Sequence, residues 1–157
     1  APTLDPAQLT GREETHLLTL PSGHRLQEEV ADAFLALRED ALAAGFDLAI
    51  ASSFRSYSRQ LAIWNGKASG QRGVHDDAGR EVPMASLCRR DQLRAILRYS
   101  AIPGTSRHHW GTDIDINSVE NAYFRSAKGR KVYAWLAANA KDFGFCQTYT
   151  PKGNDRP

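Results

Sequence analysis

Ten residues, SRHHWGTDID from Ser106 to Asp115, bring two histidines, a glycine and two aspartates together. Zinc takes imidazole nitrogen and carboxylate oxygen, and a catalytic zinc centre uses three protein ligands with a fourth position for water. The spacing predicts His108 on a loop and Asp115 on the strand that follows, both directed into one cleft, with Gly111 letting the backbone turn sharply between them. On residue types alone, a hydrogen-bonded His–Asp pair stands beside half a metal site. A second stretch, SSFRSYSRQ (Ser52–Gln60), reads by itself as a strand-end turn at Ser52 and Ser53 with a surface salt-bridge residue, Arg55.

The elements that must position these residues follow from periodicity. Val30, Phe34, Leu37 and Ala41 recur at helical spacing, with Glu28 and Glu29 in the first turn and Gly45 as the stop, predicting a helix from Leu26 to Ala44. FDLAIASSF predicts a buried strand, Phe46 to Phe54, leading into a helix from Ser58 to about Gly66. Asn65 to about Leu87 lacks periodicity and is expected on the rim of a site, because so long a loop in a compact domain is more often functional than idle. DQLRAILRYSAI predicts a helix ended by Pro103-Gly104. GTDIDIN alternates as a half-buried strand, Ile114 and Ile116 facing the core while Asp113, Asp115 and Asn117 share the other face. A last helix, Lys128 to Phe143, is closed by Gly144, and FCQTYT resembles a final strand. The order implies an α+β fold with a small, mostly antiparallel sheet flanked by helices.

Composition narrows the class. The 157 residues suit a single domain, and 41% hydrophobic with 24% charged residues speaks against disorder and against a membrane protein. Lys and Arg number 20 against 18 acidic residues, scattered rather than striped, which argues against a nucleic-acid partner. The chain opens at Ala1 with no initiator Met and no signal-peptide pattern, as a processed terminus or a cut piece does. Cys88 and Cys146 form no CxxC or CxxH pair, which excludes a zinc ribbon; two buried thiols and a disulfide, which would stabilise by about 4 kcal/mol, both remain open.

SRHHWGTDID resembles the SxHxxGxxxD motif of the zinc D-alanyl-D-alanine carboxypeptidases, the vancomycin-resistance-type D,D- and L,D-carboxypeptidases of bacterial cell walls. Their superfamily includes lysostaphin-type peptidases and the Hedgehog domain. SSFRSYSRQ is similar to the same family's S-x-[YF]-R-S-x-x-x-Q segment, in the expected order, and the likeness runs from about Gln27 onward. The resemblance implies a Hedgehog/D,D-peptidase-like fold, a zinc cofactor held by His108 and Asp115, and Arg55, Gln60, Ser106, Ser53 and Tyr57 as substrate contacts. Arg55 would anchor a terminal carboxylate or stabilise the oxyanion, since its planar charged fork binds carboxylate through two hydrogen bonds. The implied reaction is removal of a C-terminal D-amino acid from peptidoglycan stem peptides, in the cell envelope or periplasm, with a cytoplasmic place as the alternative.

Departures from the pattern carry their own expectations. Asp113 stands where the family commonly has Ala, and is read as an acceptor behind the metal ligands rather than a ligand. His109 is expected in a core hydrogen bond or at the outer rim. The family's third zinc ligand, a His, and its general base, a Glu in an ExxWH-like segment, have no counterpart; His16, His24 and His75 lack the context. The expectation is one peptidase domain, residues 1–157, without its C-terminal segment, or else a degenerate inactive domain. Rival functions are a lysin-like peptidoglycan endopeptidase and a non-catalytic cell-wall-binding module.

Overall fold

A computed structural model describes residues 3–148. In chain order its helices and strands are α1 (Pro6–Leu9), β1 (Leu18–Thr19), β2 (Arg25–Leu26), α2 (Glu28–Ala43), β3 (Ile50–Ser52), α3 (Tyr57–Ala68), α4 (Arg89–Leu97), β4 (Asp115–Ile116), α5 (Asn121–Arg125) and α6 (Ala127–Asn139). Among the described residues two antiparallel pairs, β1 with β2 and β3 with β4, form sheets, so the expected α+β fold with small antiparallel pairing flanked by helices holds, the single expected sheet being two short ones. Contacts gather into two compact units. Of the described residues, one holds Arg55–His109 with residues 3–14, the other Thr15–Phe54 and Trp110–Thr148.

The second unit is built on hydrocarbon. Helix α2 buries Ala31, Phe34, Leu37 and Ala41 along one stripe, and Glu28 and Glu29 complement the positive N-terminal end of its dipole. Burial of large side chains such as Phe34 and Leu37 stabilises by about 1.5–3 kcal/mol each. They pack with Leu48 and Val132, and Ile50, Ile114 and Ile116 join the same cluster, which fixes β3 and β4 over α2. Ser126 caps α6 by accepting from the Gly129 N–H at 3.0 Å, and a short 3-10 turn, Ala140–Phe143, ends at Gly144 with φ 85°.

The first unit has a more polar interior. Ser56 caps α3 through the Arg59 N–H at 3.1 Å. Val74 and Ile96 are buried there beside Gln60, Ser100, Ser106 and His109. Lys67 Nζ donates to Ser100 Oγ at 2.7 Å. The loop after α3 folds on itself through a His75–Glu81 bridge, and its Asp77 carboxylate takes Arg98 just beyond α4 at 2.7 and 2.8 Å, and the Tyr99 hydroxyl.

Several expectations are corrected. The strand expected over Phe46–Phe54 pairs only at Ile50–Ser52, because β4 offers two residues and Asn117 then turns into the left-handed region, φ 63°. For the same reason Asn117 does not continue the Asp113–Asp115 face: its side chain accepts from the Ala49 N–H at 2.7 Å and extends the sheet's end. Phe145–Thr148 of the expected final strand is not a strand, and Tyr149–Thr150 lie outside the described residues. Phe145 packs on the core while Cys146 is exposed, so the alternation reflects side-chain burial without a neighbouring ladder. Cys88 and Cys146 are both free and exposed, neither buried nor paired. Cys88 sits at the α4 N-cap, its thiol donating to Asp91 Oδ2 at 3.2 Å.

Candidate active site

Within the first unit the two sequence motifs meet at Arg55. Its backbone N–H donates to the His108 carbonyl at 3.0 Å. Its own carbonyl accepts from His109 Nδ1 at 2.6 Å. Its guanidinium donates through Nη1 to Gln60 Oε1 at 2.9 Å, and Gln60 Nε2 in turn donates to the Ala101 carbonyl at 2.7 Å. Gln60 was expected to touch substrate, yet it is 1% exposed with both ends of its amide engaged, and what it holds is Arg55. Arg55 itself is half-buried, as is His108 in the short 3-10 turn Arg107–His109.

His109, as expected, is in a core hydrogen bond. It is fully buried, and the Gly104 N–H donates to its Nε2 at 3.1 Å while Nδ1 faces the Arg55 carbonyl, so the ring is the neutral Nδ1–H tautomer. Burial is the main cause that lowers its pKa below the ordinary value; the Arg55 carbonyl opposes this, and the charges of Arg55, His108 and Arg12 add to it. Gly11, at φ 73°, lies against this ring, where a Cβ would collide with the imidazole. Tyr57 donates its backbone N–H to the Gly11 carbonyl at 2.8 Å, and the Arg12 guanidinium lies 3.8 Å from the centre of its ring. Ser106 is buried, its carbonyl taking the His109 N–H at 3.0 Å.

Within the second unit Asp115 on β4 lies opposite Ser52 on β3. Asp113 and Asp115 are both half-buried, and Thr112 Oγ1 donates to Asp113 Oδ1 at 3.4 Å. Ser53 is 5% exposed and its hydroxyl meets His24 Nδ1 at 2.9 Å, a partner with no signal in the residue pattern. The preceding hairpin runs along this segment: the Phe54 N–H donates to the Arg25 carbonyl at 3.2 Å, and the Arg25 guanidinium lies 5.0 Å from the Phe54 ring centre.

The family model for VanY D-alanyl-D-alanine carboxypeptidases matches residues 23–156. The chain belongs to that family. Relatives of the VanY domain include an uncharacterized protein of Haemophilus influenzae, 46% identical over 103 residues, 63% of this chain and 70% of that one. A D-alanyl-D-alanine carboxypeptidase of Enterococcus faecalis is 27% identical over 138 residues, 88% of this chain but 46% of its own length. Among solved structures, VanYB in complex with D-Ala-D-Ala superposes with TM-score 0.66 at 25% identity, covering 90% of this chain and 70% of that one. A vancomycin-resistance D,D-pentapeptidase VanY mutant in complex with Zn(II) gives 0.65 at 27% identity, covering 87% and 68%. The LdcB LD-carboxypeptidase shares the fold, with TM-score 0.64 at 23% identity, covering 90% and 62%.

The solved VanY mutant holds Zn(II), a metal that the residues of this chain can be tested against. The imidazole of His108 and the carboxylate of Asp115 are donors that zinc accepts. Among the described residues, however, no group of three or more His, Cys, Asp or Glu is gathered that could hold a metal. These residues therefore do not by themselves make a three-ligand centre; what they offer is binding and orientation.

Proposed function

We propose that the chain removes the C-terminal D-amino acid from peptidoglycan stem peptides, releasing D-alanine, with zinc as cofactor and His108 and Asp115 as its ligands in the motif. The observation that carries this reading is the fixation of Arg55, by the His108 carbonyl, by His109 Nδ1 and by Gln60 Oε1. A guanidinium held in one orientation is a receptor for a terminal carboxylate, which it takes through parallel charge-assisted hydrogen bonds. A carboxypeptidase requires such a receptor, whereas an endopeptidase does not.

Gln60 then acts by aligning Arg55, while Ser53, Ser106 and Tyr57 complete the substrate-binding set and Asp113 supports Asp115. The solved neighbour bound to D-Ala-D-Ala supports the same choice of substrate terminus. Peptidoglycan lies in the envelope, so this reading places the work there; among the described residues no helix is long and apolar enough to cross a membrane.

The test is to supply the zinc-loaded chain with a D-Ala-D-Ala-terminated pentapeptide and with a cross-linked muropeptide. Expected are D-alanine release from the pentapeptide and its loss on chelation and in Arg55→Ala. Cleavage confined to the cross-linked muropeptide would make the chain an endopeptidase, and binding without hydrolysis would make it a cell-wall-binding module.

A further inference from the structure

Two consecutive carbonyls inside SRHHWGTDID are held by residues that belong to neither motif. Gln27 Nε2 donates to the Trp110 carbonyl at 2.8 Å, and His16 Nε2 reaches the same oxygen at 3.2 Å. The backbone N–H of Gln27 donates to the next carbonyl, that of Gly111, at 2.9 Å. Gly111 is buried at φ 76°, and a Cβ there would run into the Leu17 side chain and crowd the Gln27 backbone nitrogen at 3.3 Å. The chain thus approaches the Gln27 segment closely at the point where it turns toward Asp115.

Gln27 occupies a position that local rules assign to another residue type. It is the N-cap of α2, extended at φ −61° and ψ 145°, and its side chain makes no cap hydrogen bond. Ser, Thr, Asp and Asn are favoured there because a short oxygen reaches the first free helical N–H groups. Gln27 leaves those groups uncapped and reaches across to Trp110 instead. A break of a local rule without local benefit is the pattern found where a residue serves a site. His16 precedes the residues that the family model matches. Its Nε2 must carry the proton to meet a carbonyl, which leaves Nδ1 as a buried acceptor with no partner among the described residues.

We propose that Gln27 and His16 are positioning residues, which fix the Trp110–Gly111 turn and through it the placement of Asp115. The proposal rests on reading Asp115 as a working residue of the site. Outer partners of metal-binding segments typically change affinity or activity by about 10–100-fold when lost, and the effect expected here lies at the lower end of that range.

Gln27→Ser separates positioning from stability, because serine restores a favoured helix cap and is too short to reach the Trp110 carbonyl. Expected are a Tm equal to or above that of the parent chain and amide hydrogen exchange about tenfold faster across Gly111–Asp115, with α2 unchanged or slower. D-alanine release should show kcat about tenfold lower with KM within roughly twofold. His16→Phe should shift exchange and kcat in the same direction, and His16→Gln, whose amide nitrogen can replace Nε2, should restore both. Parent-like exchange in Gln27→Ser overturns the proposal. So does a fall in Tm with faster exchange throughout α2, which would make Gln27 merely structural. If the parent chain releases no D-alanine while exchange responds as expected, the functional reading falls and the positioning role stands.

Discussion

The two units keep different things inside. The unit of Thr15–Phe54 and Trp110–Thr148 buries Leu20, Leu26, Phe34, Leu37, Leu48 and Val132, with Ser53 among them; the unit of Arg55–His109 buries Gln60, Ser100, Ser106 and His109 beside Val74 and Ile96. A hydrocarbon interior accepts volume-conserving exchange, because dispersion and burial have no direction. A polar interior does not, because each buried donor needs its acceptor and a mismatch costs the desolvation of whichever group is left over. Arg55 is thus oriented by matched hydrogen bonds, and its geometry is brittle where the hydrocarbon core of the other unit is tolerant.

The greatest loss is expected at His109. His109→Phe keeps a ring of similar size but strands the Gly104 N–H and the Arg55 carbonyl, now at 3.1 and 2.6 Å from the imidazole. Two groups left unpaired cost about 1–3 kcal/mol each where buried and less on half-buried residues such as Gly104 and Arg55, giving a loss of about 3 kcal/mol, a large part of a typical total of about 5–15 kcal/mol. Leu48→Ile, a volume-conserving exchange in the hydrocarbon unit, should cost no more than about 1.5 kcal/mol. Urea denaturation of both variants is the measurement, and equal losses would remove the contrast.

Gln60→Leu is next, expected to cost about 2 kcal/mol by leaving the Ala101 carbonyl unpaired and Arg55 unaligned. Leu37→Met, its counterpart in the other unit, should cost less than about 1.5 kcal/mol. If the proposed function holds, Gln60→Leu also lowers kcat/KM on the pentapeptide, and Arg55→Lys lowers it by about 10–100-fold, since an ammonium keeps the charge but loses the paired fork. Arg55→Lys with parent-like kcat/KM would show that orientation of the guanidinium does not matter.

The same contrast explains what could be read from the sequence. Apolar spacing announces a hydrocarbon interior, so Phe34, Leu37 and Ala41 on α2, the stop at Gly144 and the inward Ile114 and Ile116 were legible. Polar interiors carry no period. Nothing in the sequence links Gln60 to Ala101 or His109 to Arg55, which pair across long separations in the chain. The hairpin that places His24 beside Ser53 escaped for another reason: its strands, Leu18–Thr19 and Arg25–Leu26, are too short for alternation to appear. Motif residues were visible as types, while the partners that orient them needed the folded chain.

The smallest effect tests whether an exposed polar cluster follows the rule of the buried one. Asp77 is held by Arg98 and Tyr99, and the Arg98 hydrogen bond first, then that of Tyr99, lowers its pKa from 3.8 to about 2. The folded state therefore holds fewer protons than the unfolded chain between those values, and the contribution of Asp77 is fully present above about pH 4 and lost as the pH falls toward 2. Water and salt screen this cluster, which makes its contribution small. Comparing urea midpoints of the parent chain and Asp77→Asn, the parent should be slightly more stable at neutral pH, and the gap should close between pH 4 and 2 and narrow in high salt. A gap that persists unchanged at pH 2 would mean that Asp77 acts by shaping its loop rather than by its charge, and the cluster would then belong with the matched interior around Arg55.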